Sequence, residues 1–203
     1  MSKLYLDIET LPADEKYHDI LKMLYDKRKE KGKEVGINFE KFFLETSFDG
    51  TFGRIFCIAY AIDDNPVEII YNDGDEKETL KQFWEIVKGQ ELFIGHNVME
   101  FDLKFIYQRS IVNCVKPTID INFARYRNYP IFDTMKEWVK WSNLNIGLES
   151  VALALNIPTP KNGIDGSQVF DFYKNGKTKD ILEYCKKDVE TVRAVYKKMI
   201  FEI

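Results

Sequence analysis

Apolar and polar residues alternate at the start of the chain, where Leu4, Leu6 and Ile8 recur at every second position. A period of two residues, with β-branched and aromatic neighbours, predicts a strand over residues 3–9. Asp7 and Glu9 then share the face opposite these three apolar side chains. The strand rise places two such carboxylates about 7 Å apart, near enough to bind a common metal centre.

The remaining pattern predicts four more strands and a series of helices. Apolar runs at 55–62 and 67–71 flank a polar turn that contains Pro66, which is typical of an antiparallel hairpin. Further strands are expected at 92–97 and 131–134. Helical spacing of apolar residues predicts helices at 79–87, 101–111, 148–155 and 178–199, and a short helix that ends near Phe172. This order indicates an α/β fold with a mixed sheet flanked by helices.

Residues 13–46 form a helical and highly charged insert between the first strand and the hairpin. Tyr17, Ile20, Leu21 and Leu24 follow helical spacing, and a second helix is expected around 38–44. No internal repeat or break in composition separates this segment from the rest. We therefore predict a single domain over 1–203, in which the role of the insert is open.

Composition excludes several classes of protein. The 203 residues carry 29 Lys and Arg against 33 Asp and Glu, so a net charge of −4 gives no global attraction for nucleic acid. The three cysteines form no CxxC pattern and are too few for a four-thiolate zinc site. The first residues lack the apolar stretch of a secretory signal, and no apolar run approaches the ~20 residues of a membrane helix. These features predict a cytoplasmic protein.

Four carboxylates stand out as candidate metal ligands: Asp7, Glu9, Asp102 and Asp188. They lie in three separate parts of the chain, each on a predicted element. Mg²⁺ and similar hard cations prefer such oxygen ligands, and crowded carboxylates repel one another without a cation. Tyr184 precedes Asp188 by one helical turn, so the two share a helix face. A phenol with a pKa near 10 is a poor base at pH 7, which favours a positioning role for Tyr184.

These residues lie in motifs that resemble the three exonuclease motifs of the DEDD superfamily, in the usual order. The motifs are Asp7-Ile8-Glu9-Thr10, then Gly95-His96-Asn97 with Phe101-Asp102, then Tyr184-Cys185-Lys186-Lys187-Asp188. A Tyr four residues before the last Asp is the mark of the DEDDy branch. The chain is most similar to predicted 3′–5′ exonucleases related to the proofreading domain of family-B DNA polymerases. Gly53-Arg54-Ile55 and Asp165-Gly166-Ser167-Gln168-Val169 extend the resemblance.

The resemblance implies an RNase H-like fold and a 3′–5′ exonuclease that uses two divalent ions, Mg²⁺ or Mn²⁺. It assigns Asp7, Glu9, Asp102 and Asp188 as catalytic metal ligands and Tyr184 as the residue that orients water. Thr10, Asn97 and Phe101 would contact the terminal nucleotide. The expected substrate is single-stranded DNA or a frayed 3′ end. RNA trimming, or a non-catalytic nucleic-acid-binding module on the same fold, are the alternatives.

Some residues near the motifs allow two readings. Phe101, Phe105 and Tyr107 could stack on bases, whereas core packing is the simpler account of the two phenylalanines. Arg125, Tyr126, Arg127 and Tyr129 interleave cations with aromatic rings, as a single-strand contact or a solvated loop would. His96 is expected to be a hydrogen-bonded structural residue, and Asp133 to support the site from the end of a strand.

Overall fold

The computed structural model describes residues 1–32, 36–159 and 166–202, which form helices around one five-stranded sheet. The strands are β1 (Lys3–Leu11), β2 (Arg54–Ile62), β3 (Glu68–Ile70), β4 (Leu92–Gly95) and β5 (Ile131–Asp133). The helices are α1 (His18–Glu30), α2 (Phe39–Leu44), α3 (Glu76–Ile86), α4 (Asp102–Val112), α5 (Thr134–Trp138), α6 (Leu148–Ala154), α7 (Val169–Lys174) and α8 (Thr178–Met199). The expected α/β fold class is confirmed.

The sheet is mixed and has β1 at its centre, in the order β3-β2-β1-β4-β5. Strand β1 is antiparallel to β2, which forms the expected hairpin with β3. Strands β1, β4 and β5 run parallel to one another. Pairing between β1 and β4 covers only Lys3–Tyr5, so the second half of β1 extends past the end of β4. The backbone of β1 therefore needs other partners on that side, since buried N–H groups are almost always hydrogen-bonded.

Alternation along β1 divides the core between two sheet faces. Leu4, Leu6 and Ile8 pack with buried residues of α3 and α4, such as Phe83 and Ile106. Tyr5 lies on the other face, in a cluster that contains one stripe of α8. The members of that stripe are Ile181, Cys185, Val189, Val192 and Tyr196. Because Asp7 and Glu9 have the same parity as Tyr5, β1 presents them to α8.

The insert has a small apolar cluster of its own. Leu21 and Tyr25 of α1 pack with Phe42 of α2 and with Ala13. Asn38 caps α2 by accepting a hydrogen bond from the backbone N–H of Lys41. Both expected helices of the insert are present, and the first continues to Glu30. The single-domain organisation of residues 1–203 stays a prediction.

One local difference from the expected elements occurs at the end of β5. Thr134 begins the short helix α5 and is not the last residue of the strand, because the Asp133 side chain caps this helix. The loop expected at 161–166 lies outside the described residues, except Gly166, and so does Asp165. In the described part of the chain, no helix combines the length and apolar character required to cross a membrane.

Candidate active site

The close approach of β1 and α8 brings two carboxylates and a thiol together. Ligand atoms of Asp7, Glu9 and Cys185 lie within 4.8 Å of one another. The Cys185 thiol donates to Asp7 Oδ2 at 3.4 Å and is 3.6 Å from the Asp7 carbonyl oxygen. Glu9 is 7% exposed, and Asp7 is half-buried. The small Cys185 side chain allows α8 to pack directly against the carboxylate pair.

Asp102 reaches the same strand from α4. Its Oδ1 accepts a hydrogen bond from the backbone N–H of Ile8 at 3.0 Å, across 94 positions of the chain. This hydrogen bond lies on the edge of β1 that faces β4, beyond the point where β4 ends. The Asp102 side chain is buried, so a third acid lies next to Asp7 and Glu9 without contact to bulk water.

Asp188 and Tyr184 lie one turn apart on α8 and are joined by a side-chain hydrogen bond. Both are half-buried. The charge of Asp188 raises the pKa of Asp7 and that of Glu9, which places it within electrostatic reach of both. The structure thus brings the four candidate carboxylates and Tyr184 to one region, between β1, the start of α4 and the middle of α8.

Burial raises the pKa of every acid in this cluster, and neighbouring acids raise it further. For Asp7, burial is the main cause, followed by the charges of Asp102, Asp188 and Glu9. Burial, Cys57 and then Asp188 and Asp102 raise the pKa of Glu9. Burial raises the pKa of Asp102 to about 7, although backbone N–H donors oppose the shift. Burial also raises the pKa of Asp188 to about 6; the hydrogen bond from Tyr184 opposes this shift and the charge of Glu149 adds to it. The pKa of Asp7 is therefore raised by burial and by the charges of other acids. A divalent cation would relieve the repulsion between these carboxylates.

The donor set fits a hard divalent cation. Carboxylate oxygens are the preferred ligands of Mg²⁺ and are common ligands of Mn²⁺. Oxygens of Asp7 and Glu9 lie within 4.8 Å of each other, Asp102 is bonded to the strand between them, and Asp188 is within electrostatic reach of both. The neighbouring thiol of Cys185 is held neutral because burial raises its pKa. Their assignment as ligands stays a prediction that this geometry supports.

Tyr184 is set up as a hydrogen-bond donor. Burial raises the pKa of its phenol above the ordinary value, and the charges of Asp188, Glu9 and Asp7 raise it further. The phenol therefore remains protonated at neutral pH and cannot serve as a base there. The expectation of a positioning role agrees with this electrostatic environment.

Asn97 lies in a strained turn between β4 and α4. Its backbone has a φ of 61°, in the left-handed region that non-glycine residues seldom adopt. The buried carboxylate of Asp133 holds this turn, because Oδ1 accepts the N–H of Asn97 at 3.0 Å and Oδ2 accepts the N–H of Met99 at 3.1 Å. Asp133 Oδ1 also accepts from the first turn of α5. One side chain thus fixes both the Asn97 turn and the start of α5.

The rest of the Asn97 turn is packed without space to spare. A Cβ added to Gly95 would lie 2.6 Å from the Cβ of Val98, so only glycine fits there. His96 is hydrogen-bonded through Nδ1 to the Thr134 hydroxyl at 2.9 Å and through Nε2 to the Ile146 carbonyl at 2.8 Å. Burial lowers the His96 pKa. These contacts make His96 a structural residue, as the sequence analysis expected.

The residues expected to contact the substrate differ in their exposure and contacts. The Thr10 hydroxyl donates to the Ser47 carbonyl at 2.7 Å, just after an irregularity in the β1–β2 pairing. Phe101 is half-buried against Phe105, which is a core residue. Tyr107 is exposed instead. Substrate contact by Thr10, Asn97 and Phe101 stays a prediction.

The aromatic and basic loop after α4 lies next to the Asn97 turn. Arg125 forms an ion pair with Glu100 at 2.7 Å, and the exposed Tyr126 ring packs against Trp141, with 5.2 Å between centroids. The loop is therefore attached to the protein at two points. Tyr129 at its end is also exposed.

Two residues near the site, Cys185 and Asp133, make contacts that the sequence did not specify. The contact of Cys185 with Asp7 follows from its place three residues before Asp188 on the buried stripe of α8. Asp133 was expected to support the site from the end of a strand; the structure adds its contacts with the N–H groups of Asn97 and Met99, 36 and 34 positions away, and with two N–H groups of α5.

Comparison with known protein families identifies one matching family model. A family model described as a predicted 3′–5′ exonuclease related to the exonuclease domain of PolB matches residues 50–201. The chain belongs to this family. The matched range contains Asn97, Asp102, Tyr184 and Asp188, whereas Asp7 and Glu9 precede it. The placement of those two acids beside Asp102 and α8 is therefore a result of the structure. No curated protein matches the sequence.

The fold of this PolB-exonuclease relative is shared with a solved polymerase. The family B DNA polymerase from the hyperthermophilic archaeon Pyrobaculum calidifontis aligns with a TM-score of 0.69 and 16% sequence identity. The alignment covers 98% of this chain and 24% of the polymerase chain. At this identity the match establishes the fold, which is RNase H-like, and the chain spans about a quarter of the polymerase.

Proposed function

We propose that this protein is a 3′–5′ exonuclease that removes nucleotides from single-stranded DNA with the help of two divalent ions, Mg²⁺ or Mn²⁺. One observation carries the proposal: the meeting of Asp7 and Glu9 on β1 with Asp102 from α4 and Asp188 from α8. Membership of the exonuclease family supports it.

The four carboxylates would hold the ions. Asp7 has Asp102, Asp188 and Glu9 as its electrostatic neighbours, so it is the residue best placed to be shared. When bound, the ions would supply Lewis-acid chemistry, lowering the pKa of a water and stabilising charge on the leaving 3′ oxygen. Asp102 keeps one oxygen bonded to Ile8, which fixes the direction of its carboxylate.

Tyr184 and Asp188 orient the attacking water in this proposal. The phenol is a permanent donor at neutral pH, and its hydrogen bond to Asp188 fixes its position relative to the carboxylate cluster. Because the one O–H of the phenol is donated to Asp188, the phenol oxygen would accept a hydrogen bond from the water and so orient it towards the phosphorus, without taking a proton. Correct alignment of the reacting atoms contributes much of the rate in such reactions.

The terminal nucleotide would lie against the Asn97 turn and Thr10. The Asp133 carboxylate holds Asn97 in its left-handed conformation, so the amide is positioned before substrate arrives. Asn97 lies five residues before Asp102, and Thr10 directly follows Glu9. Phe101 precedes Asp102 and would border the same nucleotide.

Labelled oligonucleotides test the proposal. Single-stranded DNA and RNA carrying a label at either end are incubated with the protein in Mg²⁺, Mn²⁺ or EDTA. We expect a ladder of products shortened from the 3′ end of DNA with metal, no products in EDTA, and no products from the Asp7→Asn variant. Preferred shortening of RNA would reassign the substrate to RNA. Absence of any cleavage with both metals would contradict the exonuclease proposal and favour a non-catalytic binding module.

A further inference from the structure

A groove runs along the outer side of α4, between this helix and residues 116–123. Its volume is about 750 Å³, within the usual range of ligand sites. Buried Trp84 and Leu103 border it. Tyr107 and Ile111 line the groove although they are 49% and 63% exposed, respectively. Apolar surface left open in this way commonly marks a binding site.

The groove combines aromatic rings with cations. Lys104 and Lys116 line it, and both are exposed. Within the ranges that the structure describes, neither lysine forms an ion pair, whereas many other surface lysines do. Phe123 supplies a second, partly exposed ring at the far wall. The exposed Asp120 also lines the groove, which therefore has two lysines against one acid, and Lys104 lies near enough to Asp49 to lower the pKa of that carboxyl. Stacking rings together with net positive charge are the features that bind single-stranded nucleic acid without sequence preference.

The groove and the carboxylate cluster share helix α4. Lys104 follows Asp102 by two residues, so the two side chains project from different sides of the helix, Asp102 towards β1 and Lys104 towards the groove. The turn that holds Thr10 through the Ser47 carbonyl also rests on this helix, because the Gly50 N–H donates to Gln108 Oε1 at 3.2 Å. A strand with its terminal nucleotide at Thr10 and Asn97 would therefore have α4 as an adjacent surface.

We propose that this groove binds the unpaired nucleotides that precede the 3′-terminal one. Their bases stack on Tyr107 and Phe123, and their phosphates pair with Lys104 and Lys116. The inference rests on the proposed exonuclease function and adds to it a separate binding surface. It makes affinity depend on the length of the strand, since only a longer strand reaches from the carboxylates into the groove.

Binding measured without metal tests the groove independently of activity. Fluorescence anisotropy in EDTA compares oligodeoxythymidylates of three and twelve nucleotides. We expect Tyr107→Ala to weaken binding of the longer strand about tenfold, in line with the cost of losing one stacked base, while Tyr107→Phe retains it. Lys104→Gln should reduce the slope of log K against log salt by about 0.7, the value of one phosphate contact on a single strand. Lys198→Gln, an exposed lysine at the end of α8, is the matched control.

A small substrate separates the groove from the catalytic proposal. The p-nitrophenyl ester of thymidine 5′-monophosphate is too short to reach the groove. The Tyr107→Ala and Lys104→Gln variants should therefore hydrolyse it at the wild-type rate. Unchanged binding of the twelve-nucleotide strand by Tyr107→Ala and Lys104→Gln would overturn the groove assignment. So would an equal loss for both strand lengths. Failure of the wild type to hydrolyse any substrate would instead count against the exonuclease function, and the binding measurements would still decide on the groove.

Discussion

Asp102 accepts the backbone N–H of Ile8 at 3.0 Å, so the first residue of α4 is bonded to the central strand between Asp7 and Glu9. The bond forms where β4 has ended and β1 has no strand partner on that side. The Ile8 N–H, which has no partner in the sheet, is thus hydrogen-bonded to a carboxylate of the candidate metal site. The same hydrogen bond supports the backbone of β1 and fixes Asp102, so substitutions at Asp102 are expected to affect both.

Divalent metal is expected to stabilise the protein. A ligand that binds the folded state only raises stability according to its concentration relative to its dissociation constant. We expect Mn²⁺ at a hundred times that constant to add about 2.7 kcal/mol. For a chain of this size, that corresponds to a rise in Tm of roughly 5–11 °C. Thermal unfolding with and without Mn²⁺ measures it. The Asp188→Asn variant should show a much smaller rise, and an equal rise in both proteins would place the metal elsewhere.

Without metal, stability should decrease as the pH rises. The pKa of Asp102 is about 7 and that of Asp188 about 6, both above the ordinary value of 3.8. Groups with raised pKa values contribute most below the ordinary value, and the contribution is lost as the pH rises through the folded-state value. We therefore expect Tm in EDTA to decrease between pH 5 and pH 8.

The Asp102→Asn variant is the control for this pH dependence. Asn can still accept the Ile8 N–H and has no charge to desolvate, so its Tm in EDTA should vary less with pH. The exposed Glu68→Gln change should leave the wild-type profile intact. A wild-type Tm that rises steadily from pH 5 to pH 8 in EDTA would contradict the electrostatics described for the cluster.

Removal of the Tyr184 hydroxyl should slow the reaction and spare metal binding. Tyr184→Phe keeps the ring and loses the donor bonded to Asp188. Loss of a hydrogen-bonding partner of this kind typically costs 10–100-fold in activity or metal affinity, and here we expect the cost in kcat. Steady-state kinetics at a series of Mn²⁺ concentrations separate an effect on kcat from an effect on metal affinity. Tyr173→Phe on α7 is the matched control, and a Tyr184→Phe enzyme with full kcat would remove the positioning role.

Asp133 is expected to act through Asn97. The Asp133→Asn variant replaces one acceptor oxygen by a donor, so some of the four N–H groups lose their partner at a cost of about 1–3 kcal/mol in unfolding free energy. The turn then relaxes and KM for the oligonucleotide should rise. A double variant with Asn97→Ala should show no further increase in KM. Fully additive effects on KM would mean that Asp133 does not position Asn97.

The sequence predicted most of the fold because local patterns dominate it. Alternation in β1 and the apolar stripe of α8 are strong signals, and both elements appear where expected. Helix α5 was missed because it has five residues and depends on the Asp133 cap for its start. The order of the motifs indicated the four carboxylates, whereas the Cys185–Asp7 contact depends on how α8 packs on β1. The spacing of residues along the chain does not show how α8 packs on β1.

Anomalous diffraction from crystals grown with Mn²⁺ tests the central claim most directly. We expect two Mn²⁺ peaks among the carboxylates of Asp7, Glu9, Asp102 and Asp188, and their loss in the Asp7→Asn protein. Peaks elsewhere on the surface, with none at these four side chains, would contradict it.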